Sequence, residues 1–340
     1  MASIFPAFVQ AHPSYVLPEL ILQYAQASGF TEMLAGGDVQ ARLGEGDLYV
    51  YAKKLELRTK VAAGQQPFDQ LPSVTVGASQ ISTPTYLVRA RAEYNHHDTA
   101  AAGVWGVSLP EAFRLGMRQG IFQQIRTAAL FGMGQSTEGL LNTTGATTTN
   151  LPADPNGNTT ISTYDNGAMA FFLLQTIAAL KQRTFQVGGK PIKISILAPQ
   201  RVITAWAYYG IVQLTQYQRV GAGTSTIAGT VAGVMSESGD ELVISPDDTL
   251  IGAGAGGNDA ILIGMPELNV PQGGAINTNV FASLTPGMTA TTIQLCDMAA
   301  PREIPTPLPG GALDVLSEMR ITPGWCVRPE ALTILSAQYV

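Results

Sequence analysis

The stretch from Val107 to Thr144, VSLPEAFRLGMRQGIFQQIRTAALFGMGQSTEGLLNTT, constrains this chain more than any other, because it specifies one long amphipathic helix and the way that helix ends. Ser108 stands where an N-cap belongs and Pro110 falls in the first turn. Glu111 follows Ser108 by three residues, as in a capping box. Gly132 closes the run. The roughly 23 residues between these signals span about 34 Å at the helical rise. Phe113, Met117, Ile121, Ile125 and Ala129 recur at i, i+4 spacing and form one apolar stripe, while Arg114, Arg118 and Arg126 fall on another. In a chain otherwise rich in Gly, Thr and short β-like runs, such a helix serves as a backbone for the rest.

The surrounding segments are shorter. Residues 1–43 read as an arm. Pro6, Pro13 and Pro18 interrupt it, a short helix follows Pro18, and Gly36-Gly37 comes near its end. The arm is too small for a core of its own, yet Ile4, Phe5, Phe8, Leu20 and Ile21 must pack on something. Residues 44–94 read as a ribbon of two long strands. On the way out, Leu55, Leu57 and Val61 alternate with Lys54, Glu56, Arg58 and Lys60. On the return, Tyr86, Val88, Ala90 and Ala92 alternate with Leu87, Arg89, Arg91 and Glu93. The tip, Gly64 to Pro72, carries turn chemistry. A two-stranded ribbon is marginal in water, so it either folds back on its own sheet or lies on a neighbour.

After a Thr/Asn/Pro/Gly linker comes a helix from about Asn166 to Arg183, apolar on nearly every side and so expected in a core. Ile192 to Leu197 reads as a strand, and Ala198 to Trp206 as the start of a helix with Pro199 early in it. Residues 221–236, rich in Gly, Ala and Thr, read as a mobile loop. Short strands and turns alternate from Glu241 to Val270. The chain finishes with a strand through Arg320, a break, and a strand leading on from Arg328-Pro329-Glu330-Ala331.

Length suits one large domain or two lobes. Of the 340 residues, 46% are hydrophobic and only 13% charged, well under the usual quarter. Much of the surface is therefore expected to meet other protein. The net charge of −6 argues against a general nucleic-acid binder, though not against a shell that encloses nucleic acid without gripping it. Cys296 and Cys326 lie in no metal-binding or disulfide pattern. No run of 18 or more apolar residues occurs, and the first basic residue is Arg42, so the expectation is synthesis and assembly in the cytoplasm without a membrane.

The helix closing on Ala129-Leu130-Phe131-Gly132, followed after a polar gap by Gly139-Leu140-Leu141-Asn142, resembles the major capsid proteins of tailed bacteriophages, which have the Hong Kong 97-type fold. The ribbon before the helix and the strand–break–strand finish around Arg320 and Arg328-Pro329-Glu330-Ala331 add to the resemblance. It covers residues 45–145 and 315–340, and the middle in outline. It implies an α+β fold with an N-terminal arm (1–43) and an extended β-ribbon (44–94). A peripheral domain (95–145 and 300–340) would hold the spine helix 108–131, and an axial α/β domain would take 146–299. It implies a structural protein that assembles with itself into hexamers and pentamers of an icosahedral head around double-stranded DNA, with a portal and with scaffold and decoration proteins as further partners. It implies no catalysis and no cofactor or metal. Inter-subunit contacts would fall on the ribbon tip (Gln65, Gln66, Pro67, Phe68) and on Arg114, Arg118 and Arg126. No charged scaffolding segment precedes the arm, so a separate scaffold, or none, is expected. A nanocompartment shell of the encapsulin type is the nearest alternative, and a soluble enzyme with a site near His96, His97 and Asp98 is the alternative of another class.

Other chemistry is weaker. Gly252 to Gly257 fits GxGxxG, but a dinucleotide site needs a helix next, and Asn258 to Gly264 reads as a strand. His96 and His97, adjacent on an extended segment, would point to opposite faces and converge poorly on one ion. No GxSxG or HExxH accompanies them. The three arginines could face packaged DNA, but a solvated face or pairing with a neighbour's Asp or Glu fits the negative net charge better. The sequons at Asn142 and Asn158 read as coincidence without a secretion signal.

Overall fold

The computed structural model describes residues 29–58, 75–104, 106, 108–133, 138–184, 191–208, 210–211, 225–269 and 291–340. The arm before residue 29 and the tip residues Gln65, Gln66, Pro67 and Phe68 lie outside the described residues.

The spine helix α2 runs Leu109–Phe131, after a shorter helix α1, His96–Val104. Ser108 sits at its N-cap in extended conformation, but its side chain makes no capping hydrogen bond. The capping box does not close because Glu111 accepts from Arg114 instead, at 2.9 Å. The stripe is buried as its spacing predicts: Met117, Ile121, Ile125 and Ala129, together with Ala128 and Leu130, face inward. Phe113 is half-buried and stacks on Tyr94 at 5.7 Å. The helix stops at Gly132, whose φ of 82° is reached readily by glycine. Gly139 then brings the chain back against the helix end, where an added Cβ would lie 2.5 Å from the Gly132 nitrogen. Leu140 plugs into the core, and Asn142 donates its amide to the Phe131 carbonyl at 3.3 Å. The Gly-Leu-Leu-Asn segment is thus a stop for the helix, since it satisfies a carbonyl the last turn leaves open.

Among the described residues, two five-stranded sheets organise the chain. In the first, β14 (Ala312–Ile321) lies between β4 (Tyr86–Asn95) and β13 (Arg302–Leu308), both antiparallel to it. The short β12 (Cys296–Asp297) joins the end of β14, and β1 (Ala41–Arg42) runs parallel to β12. In the second, the order is β5 (Thr147–Asn150), β16 (Leu332–Ala337), β10 (Asp259–Gly264), β6 (Lys193–Ala198) and β9 (Glu241–Pro246). Two-stranded pairs complete the set: β2 (Tyr49–Arg58) with β3 (Thr75–Pro84), β7 (Gly210–Ile211) with β8 (Ser225–Thr226), and β11 (Ile293–Gln294) with β15 (Trp325–Cys326).

The three central strands of the second sheet, β16, β10 and β6, are buried on both faces, so they read as nearly continuous apolar runs. Ile261 and Ile263 of β10, Ile194 and Ile196 of β6, and Leu335 of β16 meet a helical layer. That layer is α3 (Asn166–Arg183), α4 (Gln200–Tyr208) and α5 (Ile227–Glu237), which contribute Leu173, Ile177, Trp206 and Val231. Ala260, Leu262, Leu332 and Ile334 point the other way, into a second core with Ile121, Ile125 and Leu130 of α2 and Met319 and Ile321 of the first sheet. Phe30 and Met33, from the described end of the arm, are buried in that same core of their own chain.

The structure departs from the sequence reading at several places. The ribbon's return strand is Thr75–Pro84, not residues 86–94, which are spent on β14. The sequence TVGASQISTP has no apolar alternation to announce it. Residues 227–236 form a helix rather than a loop. Thr226 caps it by accepting from the Gly229 N–H, and Ile227, Val231 and Met235 bury one face at i+4 spacing. The last strand, 332–337, which the resemblance puts in the same domain as the spine helix and the strand through Arg320, pairs in the second sheet, where its side chains alternate between the two cores. Helix α3 has one exposed side, with Phe171 61% exposed.

Two buried charge sites tie the helical layer. Asp240 accepts from Lys181 Nζ at 2.5 Å, Ser238 Oγ at 3.0 Å and the Ile192 N–H at 3.1 Å. Burial pushes its carboxyl up, but these three donors outweigh burial and hold it below the ordinary value. Asp259, 1% exposed, accepts from Arg201 Nε at 2.8 Å and Nη2 at 2.5 Å in a bidentate pair.

Gly324 touches α2 so closely that an added Cβ would lie 2.2 Å from the Ala129 carbonyl oxygen. Because that neighbour is backbone, Gly324→Ala is expected to lower stability by about 3 kcal/mol in chemical denaturation. The Asp240 carboxylate, with its folded pKa below the unfolded value, contributes its full stability at neutral pH and loses it as the pH falls below about 4. Asp240→Asn should cost about 2 kcal/mol at neutral pH and flatten part of the acid dependence of the thermal midpoint.

Candidate assembly surfaces

The ribbon is the first candidate. β2 and β3 pair over ten rungs, from Tyr49 opposite Pro84 to Arg58 opposite Thr75. That gives a projection of about 33 Å. Among the described residues neither strand pairs with any other. Strand alternation puts Tyr49, Tyr51 and Lys53 on one face, with Pro84, Ser82 and Gln80 opposite them. Tyr49 is 55% and Tyr51 58% exposed, their rings are 6.2 Å apart, and Leu48 beside them is 62% exposed. On the other face Thr83 is buried and donates its hydroxyl to Glu138 at 3.1 Å. Burial pushes the Glu138 carboxyl above its usual range, against the pull of that hydrogen bond.

The spine arginines do not form a common anion site. Arg114 bonds Glu111 at 2.9 Å and Glu303 at 3.1 Å, and Arg118 lies 3.8 Å from the same Glu303. The Glu303 charge, followed by the Glu111 hydrogen bond, raises the Arg114 guanidinium above its usual value. Arg126 stands further along α2 and is half-buried. Two of the three arginines therefore already have carboxylates of their own chain, in exposed pairs of the kind worth little stability. What the sequence reading missed on α2 is apolar: Leu115 is 50% and Phe122 44% exposed, seven residues apart on one side. On the helical layer Phe171, Tyr208 (81%) and Val234 (42%) are exposed as well. The signal available for the ribbon was the alternation of Tyr49 and Tyr51. For the helical residues, periodicity alone does not say which edge of an apolar stripe stays outside.

The enzymatic candidates are not assembled into sites. His96 and His97 open helix α1 rather than lying on a strand, and their rings lie 3.8 Å apart at the surface. They fall together because a helix turn rotates adjacent side chains by less than a strand does. Among the described residues no group of three His, Cys, Asp or Glu side chains is placed to hold a metal. The Gly252–Gly257 turn leads into strand β10, and its Gly252 N–H donates to the chain's own Asp259 at 3.1 Å. An amide that a dinucleotide loop would offer to phosphate is thus used by an internal carboxylate. The groove between α2 and β4, about 410 Å³, is lined by Val88, Ala90, Gly120, Ile121, Gln124 and Met133 among others, and its one ionisable side chain, Arg89, pairs with Glu318 at 3.4 Å.

No protein-family model and no curated protein matches the sequence. Solved structures do match its shape over nearly the whole chain. The capsid of Myoviridae phage XM1 is similar with a TM-score of 0.68 at 12% identity, covering 98% of this chain and 99% of that one. The capsid of cyanophage P-SCSP1u gives 0.56 at 13% identity, covering 96% and 93%. The capsid of an empty GTA particle gives 0.56 at 12%, covering 96% and 95%. At these identities the common property is the fold: an α+β chain of the phage-capsid type, as the resemblance around the spine helix implied.

Proposed function

We propose that the protein is a shell subunit, the major capsid protein of a tailed phage or prophage, which assembles with itself into hexamers and pentamers of an icosahedral head. The observation that carries this reading is the match of the whole chain, 98% of it, to a phage capsid subunit with nearly equal length on the other side. The surface chemistry agrees. A charge content of 13% leaves large areas with little to recommend them to water, and the ribbon projects an exposed aromatic face with no core beneath it. In this reading the ribbon overlaps a neighbouring subunit, with Gln65, Gln66, Pro67 and Phe68 at its tip and Tyr49 and Tyr51 nearer its base. Leu115 and Phe122 supply a second contact on α2. The spine arginines act at the edge of that contact, as a polar rim around it. No single contact need be strong, since many weak ones add up in a closed lattice.

The enclosed cargo is double-stranded DNA, held without sequence-specific contacts, as the net charge of −6 suits a wall that surrounds phosphate without binding it. A portal, a separate scaffold and decoration proteins are the further partners. The site of action is the virion, after assembly in the host cytoplasm, and the role is structural rather than catalytic.

The test is electron microscopy and light scattering on the protein expressed alone and with its genomic neighbours. Closed shells or rings of five and six are expected, and a stable monomer under all conditions would defeat the reading. Shells that co-purify with an enzyme and exclude DNA would instead identify a nanocompartment. Deleting residues 62–72 should leave a folded subunit that no longer assembles. Replacing Tyr49 and Tyr51 together by Ser should leave the subunit's thermal midpoint nearly unchanged while raising the critical concentration for assembly, with up to about 2 kcal/mol lost per buried ring. Sedimentation velocity reads both outcomes.

A further inference from the structure

The direction in which the ribbon points is set by very few atoms. The chain enters it at Asp47-Leu48 and leaves it at Pro84-Thr85, where the Thr85 N–H donates to the Leu48 carbonyl at 3.0 Å. Beyond this rung β4 turns into the first sheet, and Arg320 lies one position from the end of that sheet's central strand, opposite Leu87. Its guanidinium reaches both crossing points. Arg320 Nη1 donates to the Asp47 carbonyl at 3.2 Å and to the Thr85 hydroxyl at 2.9 Å. The Thr85 hydroxyl in turn donates to the same Asp47 carbonyl at 2.5 Å. Among the described residues Arg320 pairs with no carboxylate, unlike Arg42, Arg89, Arg91, Arg114, Arg201 and Arg302. A planar, permanently charged fork spent on a carbonyl and a hydroxyl is suited to fixing geometry. A second tie comes from another element, the Thr83 hydroxyl on Glu138 just beyond the spine helix.

We propose that Arg320 is a positioning residue: with Thr85 it staples the two strands of the ribbon where they leave the body and so sets the ribbon's angle for contact with a second copy of this chain. This rests on the reading of the ribbon as an inter-subunit element. The staple acts on orientation alone. The ten β2–β3 rungs and both cores are complete without it, so loosening it leaves a folded subunit whose ribbon sweeps a wider arc. Ordering that arc again on assembly costs entropy that the stapled subunit has already lost.

Spin labels on Lys53→Cys in the ribbon and Gln123→Cys on the spine helix, both exposed positions, report the angle as a distance. The native thiols compete poorly for label, because burial pushes Cys326 up to about 12 and raises Cys296 as well. Labelled full-length protein is diluted with unlabelled protein so that only distances within a subunit are read. The unsubstituted staple should give one narrow distribution. Arg320→Met, which keeps the apolar stem, and Thr85→Val, which keeps the shape, should each lose the narrow peak while circular dichroism and thermal midpoint hold. Should Arg320→Met fail to fold, Thr85→Val carries the test alone. A narrow peak that survives in the folded variants overturns the staple. Particle formation in the same samples separates the two ideas. Normal shells with an unchanged peak reject the staple and keep the shell reading. A peak that broadens in the variants, when even the protein with the staple intact never assembles, keeps the staple and rejects the shell reading.

Discussion

Strand β10 is the element on which the rest depends. It is six residues long, every one of them buried, and its two faces belong to two different cores. Ile261 and Ile263 hold the layer of α3, α4 and α5. Ala260 and Leu262 hold the C-terminal half of the spine helix and the end of the first sheet's central strand. A shift of one residue in its register would exchange these sets and put each side chain into a space shaped for another. The neighbours pin it: six rungs with β16 on one side and three with β6 on the other. Through this strand the two halves of the chain share one interior, which gives the spine helix something rigid to lie on.

That rigidity matters because the elements most suited to contact have little holding them. Among the described residues the ribbon's strands pair only with each other, with a small set of polar ties at their base. A body with two full cores can carry such a projection, since the projection need contribute nothing to the stability of the fold. Most of the large apolar groups that stay outside, Tyr49, Tyr51, Leu115, Phe122, Phe171, Tyr208 and Val234 among them, sit on the ribbon and on helix surfaces instead of opening the cores to water. The division separates a body with two full cores from surfaces whose apolar groups stay outside them.

The charges follow the same division. Asp240 and Asp259, both buried, are each saturated by donors of the same chain. The pairs on α2 and β14 involve exposed arginines and contribute little.

Local signals were legible in the sequence wherever a short-range rule was sufficient. The spine helix, its apolar stripe, the glycine at its end and the turn before β10 all follow from spacing and backbone preference. The Gly-Leu-Leu-Asn segment was visible as a pattern, although its work as a helix stop, with Asn142 on the Phe131 carbonyl, emerged only in three dimensions. Where the sequence misled, the deciding contact lay far along the chain. Residues 86–95 alternate as a ribbon strand should, but β14, more than two hundred residues later, claims them. The true return strand, TVGASQISTP, is recognised only by its partner. The helix at 227–237 hid in a composition that suggests a loop, because its three buried residues count only once the second sheet is there to cover. The sequence by itself determined the lengths of the main helices, the scarcity of charge and the turns, all of which are set by neighbours along the backbone. Only the tertiary structure decided which strands pair, which faces stay exposed and which way the ribbon points, because those outcomes depend on interactions between segments that no local pattern encodes.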